Sequence, residues 1–226
     1  MANCKSQQTG AFLFSCQLRH CEFCFWRESR RARKQYLLRF LGCVEGGLRL
    51  AILTLTVPNV SALNSQDYDR LFERVKEFLS LEYVRRYIFG GVAKIETTYN
   101  VEHQEFHVHI HILIVYKACI PQKKIKALWG NLTADIENYE PSDFPASNVS
   151  NRSVWIKSVK LNRSNPASIR KAVRDSLNYL CKFNPIDDPE AFVSVYGATK
   201  GKRLIRAYGG LRKGYRQGFN FQEPLS

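Results

Sequence analysis

No run of apolar residues in this 226-residue chain reaches the ~18 needed to cross a bilayer, and the opening residues Asn3, Cys4 and Lys5 lead into a polar stretch with no signal-peptide core. Acidic residues are scarce, with 20 Asp and Glu against 34 Lys and Arg. No internal repeat and no low-complexity tract interrupts the sequence. A membrane span, a solenoid and a disordered tail-like protein are therefore excluded as expectations, and a cytoplasmic location is expected. What is present is a hydrophobic content of 45% and an aromatic content of 12%, enough for a packed core. The net charge of +14 points to a polyanionic partner, and nucleic acid leads the candidates.

Histidine is also rare. Of five in the chain, three alternate in His107-Val108-His109-Ile110-His111, running into Ile112-Leu113-Ile114-Val115. The β-branched composition predicts a buried strand over Phe106–Tyr116. Side chains two apart on a strand share a face, so the three imidazoles lie side by side, a good arrangement for a divalent metal. Val92–Tyr99 predicts the preceding strand, joined to it by a hairpin loop over Asn100–Glu105. Symmetric folding of that hairpin makes paired positions sum to about 205, which sets Glu96 opposite His109. A carboxylate beside imidazoles suits Mg²⁺ or Mn²⁺ with a phosphate oxygen in an open position.

Cysteine is uneven. Cys4, Cys16, Cys21 and Cys24 fall within the first 24 residues, and Cys21-Glu22-Phe23-Cys24 has the spacing of a zinc knuckle. These four are candidate ligands of a structural Zn²⁺, with His20 as an alternative ligand. Cys43, Cys119 and Cys181 are isolated and are expected to be small buried hydrophobes. A basic helix follows the knuckle, with Arg27, Arg30, Arg31, Arg33 and Lys34 placed for phosphate contacts.

Elsewhere the periodicity predicts a strand over Leu48–Thr56 and one amphipathic helix over Asp67–Ile88, broken by Gly90-Gly91. It further predicts a helix over Gln122–Tyr139, a loop over Glu140–Arg152, a strand over Val154–Val159 and a helix over Ala167–Lys182. In the last helix Asp175, Tyr179 and Lys182 lie on one face, apart from the apolar stripe of Ile169, Val173, Leu177 and Leu180. A tyrosine there is either an ordinary packing residue or a nucleophile toward phosphorus. The Gly201–Gly214 segment is basic, and Lys202, Arg203 and Arg206 within it, with Lys200 just before it, are further phosphate-binding candidates.

Together Leu53-Thr54-Leu55-Thr56-Val57-Pro58-Asn59, His107–Leu113 and Tyr179 with Lys182 resemble the three motifs of the HUH endonucleases. In particular they resemble the rolling-circle replication initiators of small bacterial plasmids. The resemblance runs from roughly Cys4 to Gly210 and includes the cysteine cluster followed by Trp26-Arg27. It implies an α+β palm, ferredoxin-like or RRM-like, in which an antiparallel sheet with flanking helices has the histidine strand at its centre. Residues 1–45 would form a cysteine-rich zinc element and basic helix, and residues 46–226 the endonuclease domain.

The resemblance implies His109 and His111 as the metal pair, with Glu96 as third ligand and His107 as the additional upstream histidine. It implies Tyr179 as the nucleophile that nicks one strand of origin DNA and forms a 5′-phosphotyrosyl link. Asp175 stands where this branch carries a glutamate that serves a terminating hydrolysis, and its side chain is one methylene shorter. Val108 stands where the family prefers proline. Single-stranded or hairpin plasmid origin DNA is the implied partner, with host replication proteins beside it. Two other readings are a relaxase or single-strand transposase with the same chemistry, and a non-catalytic zinc-dependent nucleic-acid binder.

Overall fold

Two long strands and the tight turn between them form the middle of the fold. The computed structural model describes residues 21–134 and 154–212. β2 (Ile88–Asn100) and β3 (Glu105–Tyr116) pair antiparallel, and from Gly90↔Val115 to Asn100↔Glu105 every pair sums to 205, as the symmetric hairpin requires. The turn is fixed locally. The Asn100 side chain accepts hydrogen bonds from the backbone N–H groups of Glu102 and His103, and Gln104 takes a left-handed φ of 52°.

Around this hairpin β1 (Arg49–Thr56), β4 (Val154–Ser158) and β5 (Ile205–Gly209) complete a five-stranded antiparallel sheet in the order β4-β1-β3-β2-β5. β3, the histidine strand, is central. The helices are α1 (Glu22–Glu45), α2 (Ser65–Ser80), α3 (Glu82–Tyr87), α4 (Gln122–Thr133), α5 (Pro166–Leu180) and α6 (Pro189–Thr199). From β1 to β4 the chain follows the β-α-β-β-α-β path of a ferredoxin-like unit. This is the expected α+β architecture.

Each face of the sheet has its own core. Leu53, Leu55, Ile95, Val108, Ile110, Ile112 and Ile114 pack against Phe72, Val75 and Phe78 of α2 and Trp129 of α4. On the other face Leu50, Val92, Leu113 and Val115 pack against Tyr36, Phe40 and Val44 of α1 and Val173, Leu177 and Leu180 of α5. Complete burial of such a leucine or valine contributes on the order of 1.5–3 kcal/mol. The basic helix of the N-terminal segment is thus part of this second core: it extends to Glu45, well past Tyr36.

Several expectations need correction. The helix expected over Asp67–Ile88 is two helices, interrupted at Leu81 with ψ of 132°, and Ile88 already belongs to β2. Gly90 and Gly91 do not end a helix. They lie inside β2, where a Cβ on Gly90 would sit 2.7 Å from the Tyr208 carbonyl oxygen and one on Gly91 would sit 2.8 Å from that of Leu113. Glycine is required there by close backbone approach, not by a turn. α6 and β5 have no counterpart among the elements expected from periodicity. Cys43 and Cys181 are buried, as expected, but Cys119 is exposed in the loop after β3. The end of the predicted helix beyond Ala134, the loop to Arg152, and Gly214 lie outside the described residues.

Candidate active site

β3 changes character along one face. Leu113 and Val115 are sealed under α1 and α5, while His107, His109 and His111 continue the same face beyond the cover and are half-buried. The His107 and His109 rings run parallel with centroids 6.5 Å apart, and the His109 and His111 rings are inclined by 28° with centroids 6.3 Å apart. β2 contributes Lys94 opposite His111 and Glu96 opposite His109, and β1 contributes Thr54 opposite His111.

Glu96 pairs by register with His109, but its carboxylate reaches diagonally to His111, with Oε2 3.2 Å from Nε2. The other ring nitrogen of His111, Nδ1, is 3.1 Å from the Thr54 hydroxyl. Both edges of this imidazole are therefore held, and the ring cannot turn without breaking one of the two. Burial, and then the charge of His111, hold His109 below the ordinary histidine value. For Glu96 burial alone would raise the carboxyl. The hydrogen bond with His111 and the Lys94 ammonium outweigh burial and hold it below its ordinary value.

α5 brings the tyrosine. Asn165 caps this helix by accepting from the Ser168 N–H, and Pro166 opens it. The apolar stripe of Ile169, Val173, Leu177 and Leu180 faces the sheet, in keeping with its spacing. Tyr179 is then carried to the margin of the cover, 52% exposed, with its ring edge-on to His111 at 5.8 Å. Asp175 is exposed one turn earlier. Lys182 lies just past the helix end, and its N–H donates to the Tyr179 carbonyl. So the structure brings together His109, His111, Glu96 and Tyr179. Asp175 and Lys182 flank them, and His107 stands one step further out.

Two further groups are revealed only by the structure. Lys94 is only 4% exposed: its ammonium donates to the Lys182 carbonyl and lies 5.1 Å over the Phe25 ring. Burial lowers its pKa. This lysine ties the strand of Glu96 to the end of the tyrosine helix and to the start of α1. Its only sequence signal is a second polar residue two before Glu96 in an apolar strand. Thr54 belongs to a sequence motif, but its role against His111 emerges only from the pairing of β1 with β3. The Pro58-Asn59 end of that motif is also tied in, since the Asn59 amide donates to Glu105 at the base of β3.

Among the described residues no three His, Cys, Asp or Glu side chains already converge on one point. The donor set nevertheless fits a hard divalent ion. Glu96 Oε2 and His111 Nε2 are 3.2 Å apart, close to the roughly 3 Å between neighbouring ligands of an octahedral ion with bonds of about 2.1 Å. The Thr54 hydroxyl can accept the ring proton at Nδ1 once Nε2 serves as ligand. His109, its ring centroid 6.3 Å from that of His111, is the adjacent donor.

Cys21 sits at the N-terminal boundary of α1 and Cys24 in its first turn, buried. Cys4, Cys16 and His20 lie outside the described residues. Of the basic candidates, Arg30, Arg31 and Lys34 are exposed on α1, and Arg27 is partly covered. Arg33 instead donates to Asn178, next to the tyrosine, at 2.9 Å. In the C-terminal segment Lys202 pairs with Asp69 at 2.6 Å and Arg206 lies 3.4 Å over the Phe72 ring, so both are tied to α2. Lys200 and Arg203 are exposed, and Arg203 reaches the Tyr36 hydroxyl at 3.4 Å. No described helix is long and apolar enough to cross a membrane.

A family described as replication protein matches residues 8–225. A protein named Protein rep from Streptococcus pneumoniae serotype 2 (strain D39 / NCTC 7466) is 31% identical over 119 residues, covering 46% of this chain and 34% of that protein. Another Protein rep, from Staphylococcus aureus, is 27% identical over 130 residues, 53% of this chain and 56% of its own length. The chain thus aligns with between a third and just over half of these curated relatives. No solved structure matches it.

Proposed function

The chain belongs to the replication protein family, and from that premise we propose that it initiates plasmid rolling-circle replication by nicking one DNA strand and holding the cut end on Tyr179. The observation that carries this reading is the meeting of Tyr179 with the Thr54–His111–Glu96 group on one open sheet face.

The tyrosine oxygen attacks phosphorus while the bond from phosphorus to the 3′-oxygen breaks. The product is a 5′-phosphotyrosyl link and a free 3′-hydroxyl. The proton leaves the tyrosine toward solvent, on its exposed side, and the departing 3′-oxygen takes one up. His109, His111 and Glu96 would hold Mg²⁺ or Mn²⁺, which when bound supplies positive charge against the phosphate oxygens as charge develops. Thr54 fixes the His111 ring, and Lys94 and Arg33 fix the helix that presents the tyrosine. Single-stranded or hairpin origin DNA is the substrate, held by the basic residues of α1 and by Lys200 and Arg203.

The direct test is to incubate the protein with single-stranded origin candidates and Mn²⁺ and look for a covalent protein–DNA adduct on a denaturing gel. Metal-dependent adduct is expected, and its absence from every origin fragment of the parent plasmid would reject the reading.

Asp175 faces the same open space one turn before Tyr179 and serves as the base for a terminating hydrolysis. Asp175→Asn should leave first-strand cleavage intact and slow the final release, so that adducts persist or multimeric plasmid products accumulate. Loss of the initial nick would instead make this carboxylate necessary to the tyrosine.

DNA binding should weaken steeply with salt. Replacing Arg30, Arg31 and Lys34 by Gln should flatten the plot of log affinity against log salt by about 0.7 for each single-strand phosphate that is no longer neutralised. An unchanged slope would assign these charges to solubility alone.

The four N-terminal cysteines hold a structural Zn²⁺ apart from the catalytic ion, because thiolates favour zinc while a His/carboxylate set with an open position favours Mg²⁺ or Mn²⁺. Elemental analysis after mild EDTA treatment should still find about one zinc per chain. Freshly purified protein without zinc would overturn this site.

A further inference from the structure

We propose that Trp155 is a stacking platform for a nucleobase of the bound single strand, adjacent to the phosphate at Tyr179; this rests on the reading of the sheet face as the nicking site. Trp155 lies on the edge strand β4, directly opposite Thr54, which in turn lies opposite His111. Opposed residues share a face, so the indole stands in the same row as the site, two strand spacings or about 10 Å from His111. It is 57% exposed, whereas its neighbours Val154 and Ile156 turn to the opposite, apolar face. α1 and α5 cover the middle of this face, and among the described residues Trp155 and Lys157 of β4 stay exposed beside it.

The surroundings suit a nucleotide better than a protein side chain. The Lys157 ammonium lies 6.0 Å over the Trp155 ring, placing a cation beside the flat surface where a backbone phosphate would accompany a stacked base. The chain as a whole carries a charge of +14. Trp129, by contrast, is fully buried, and its N–H donates to the Thr56 carbonyl, a structural use that Trp155 lacks among the described residues. Every base offers a π-face, and only an unpaired strand offers it free, so the platform selects single strands without selecting sequence.

The test compares an oligothymidylate with a fully abasic strand of equal length and charge, by fluorescence anisotropy at constant salt. The parent protein should bind the oligothymidylate more tightly. Trp155→Ala should lose about tenfold in affinity for it and nothing for the abasic strand, while Trp155→Phe keeps most of the preference. An equal loss on both strands, or no loss on either, would overturn the platform. A thermal melt of each variant shows whether a loss reflects unfolding, and if Trp155→Ala melts early the Phe variant together with Lys157→Gln decides. Covalent adduct formation is scored separately. Base preference at Trp155 without adduct would keep the platform and overturn the nicking reading, and adduct without base preference would do the reverse.

Discussion

Tyr179→Phe should eliminate the covalent protein–DNA product, a loss on the order of 10³-fold or more, while leaving affinity for single-stranded DNA unchanged. The substitution removes one oxygen and keeps the ring, so the edge-on packing against His111 at 5.8 Å survives. Among the described residues the Tyr179 hydroxyl has no hydrogen-bond partner, and the side chain is 52% exposed. Its removal therefore leaves no buried group unsatisfied, and stability should hold to within about 0.5 kcal/mol. Adduct yield on a denaturing gel and anisotropy on the same preparation separate chemistry from binding. If the Phe variant still forms the adduct, the nucleophile is another residue and the assignment fails.

The second large effect is expected from replacing His109 and His111 together by Ala. Metal-stimulated cleavage should disappear, because both imidazole nitrogen donors are removed and Glu96 alone holds a hard ion weakly. The fold should persist. Both residues are half-buried at the open end of their face, and the sealed part of β3, Leu113 and Val115, is untouched. The interactions deleted include the hydrogen bonds of His111 with Thr54 and Glu96, each worth about 1 kcal/mol, and its edge-on contact with Tyr179. Glu96→Gln is the milder companion: it keeps a hydrogen-bond acceptor for His111 but should raise the Mn²⁺ concentration needed for half-maximal nicking. Circular dichroism of the double variant guards against unfolding. Undiminished nicking by that variant would exclude these histidines as ligands.

Much of the site is legible in the sequence because it is local. Alternation puts three histidines on one face, and a short turn makes the pairing of β2 with β3 a matter of counting, so Glu96 falls opposite His109 as expected. The Ala167–Lys182 stripe likewise orients Tyr179 without knowledge of its partners. What escapes depends on long-range packing. Lys94 reads as an ordinary strand lysine until the ends of α1 and α5 close over it. β5 pairs with β2 where Gly90 and Gly209 let two backbones approach and Gly210 leaves room for the Phe89 ring. A Cβ on Gly209 would lie 2.6 Å from the Phe89 carbonyl oxygen, and nothing near Gly90 in the sequence announces that neighbour. The break at Leu81 escapes for a different reason, since the apolar period continues across it. The tethered tail residues Lys202 and Arg206 look like the exposed basic residues of α1 because a charge shows no partner in one dimension.

The central position of β3 has a consequence for the timing of events at the site. Its backbone is hydrogen-bonded to β1 on one side and β2 on the other, so the amides from His109 to Val115 should exchange with solvent only when the whole domain opens. Tyr179 sits in the last turn of α5, where helices fray, and is held there by the Lys94 ammonium at the Lys182 carbonyl and by Arg33 at Asn178. The two halves of one active site thus belong to opposite ends of the local-stability range. The histidine half is as immobile as the protein itself, and the half that presents Tyr179 is the one able to swing.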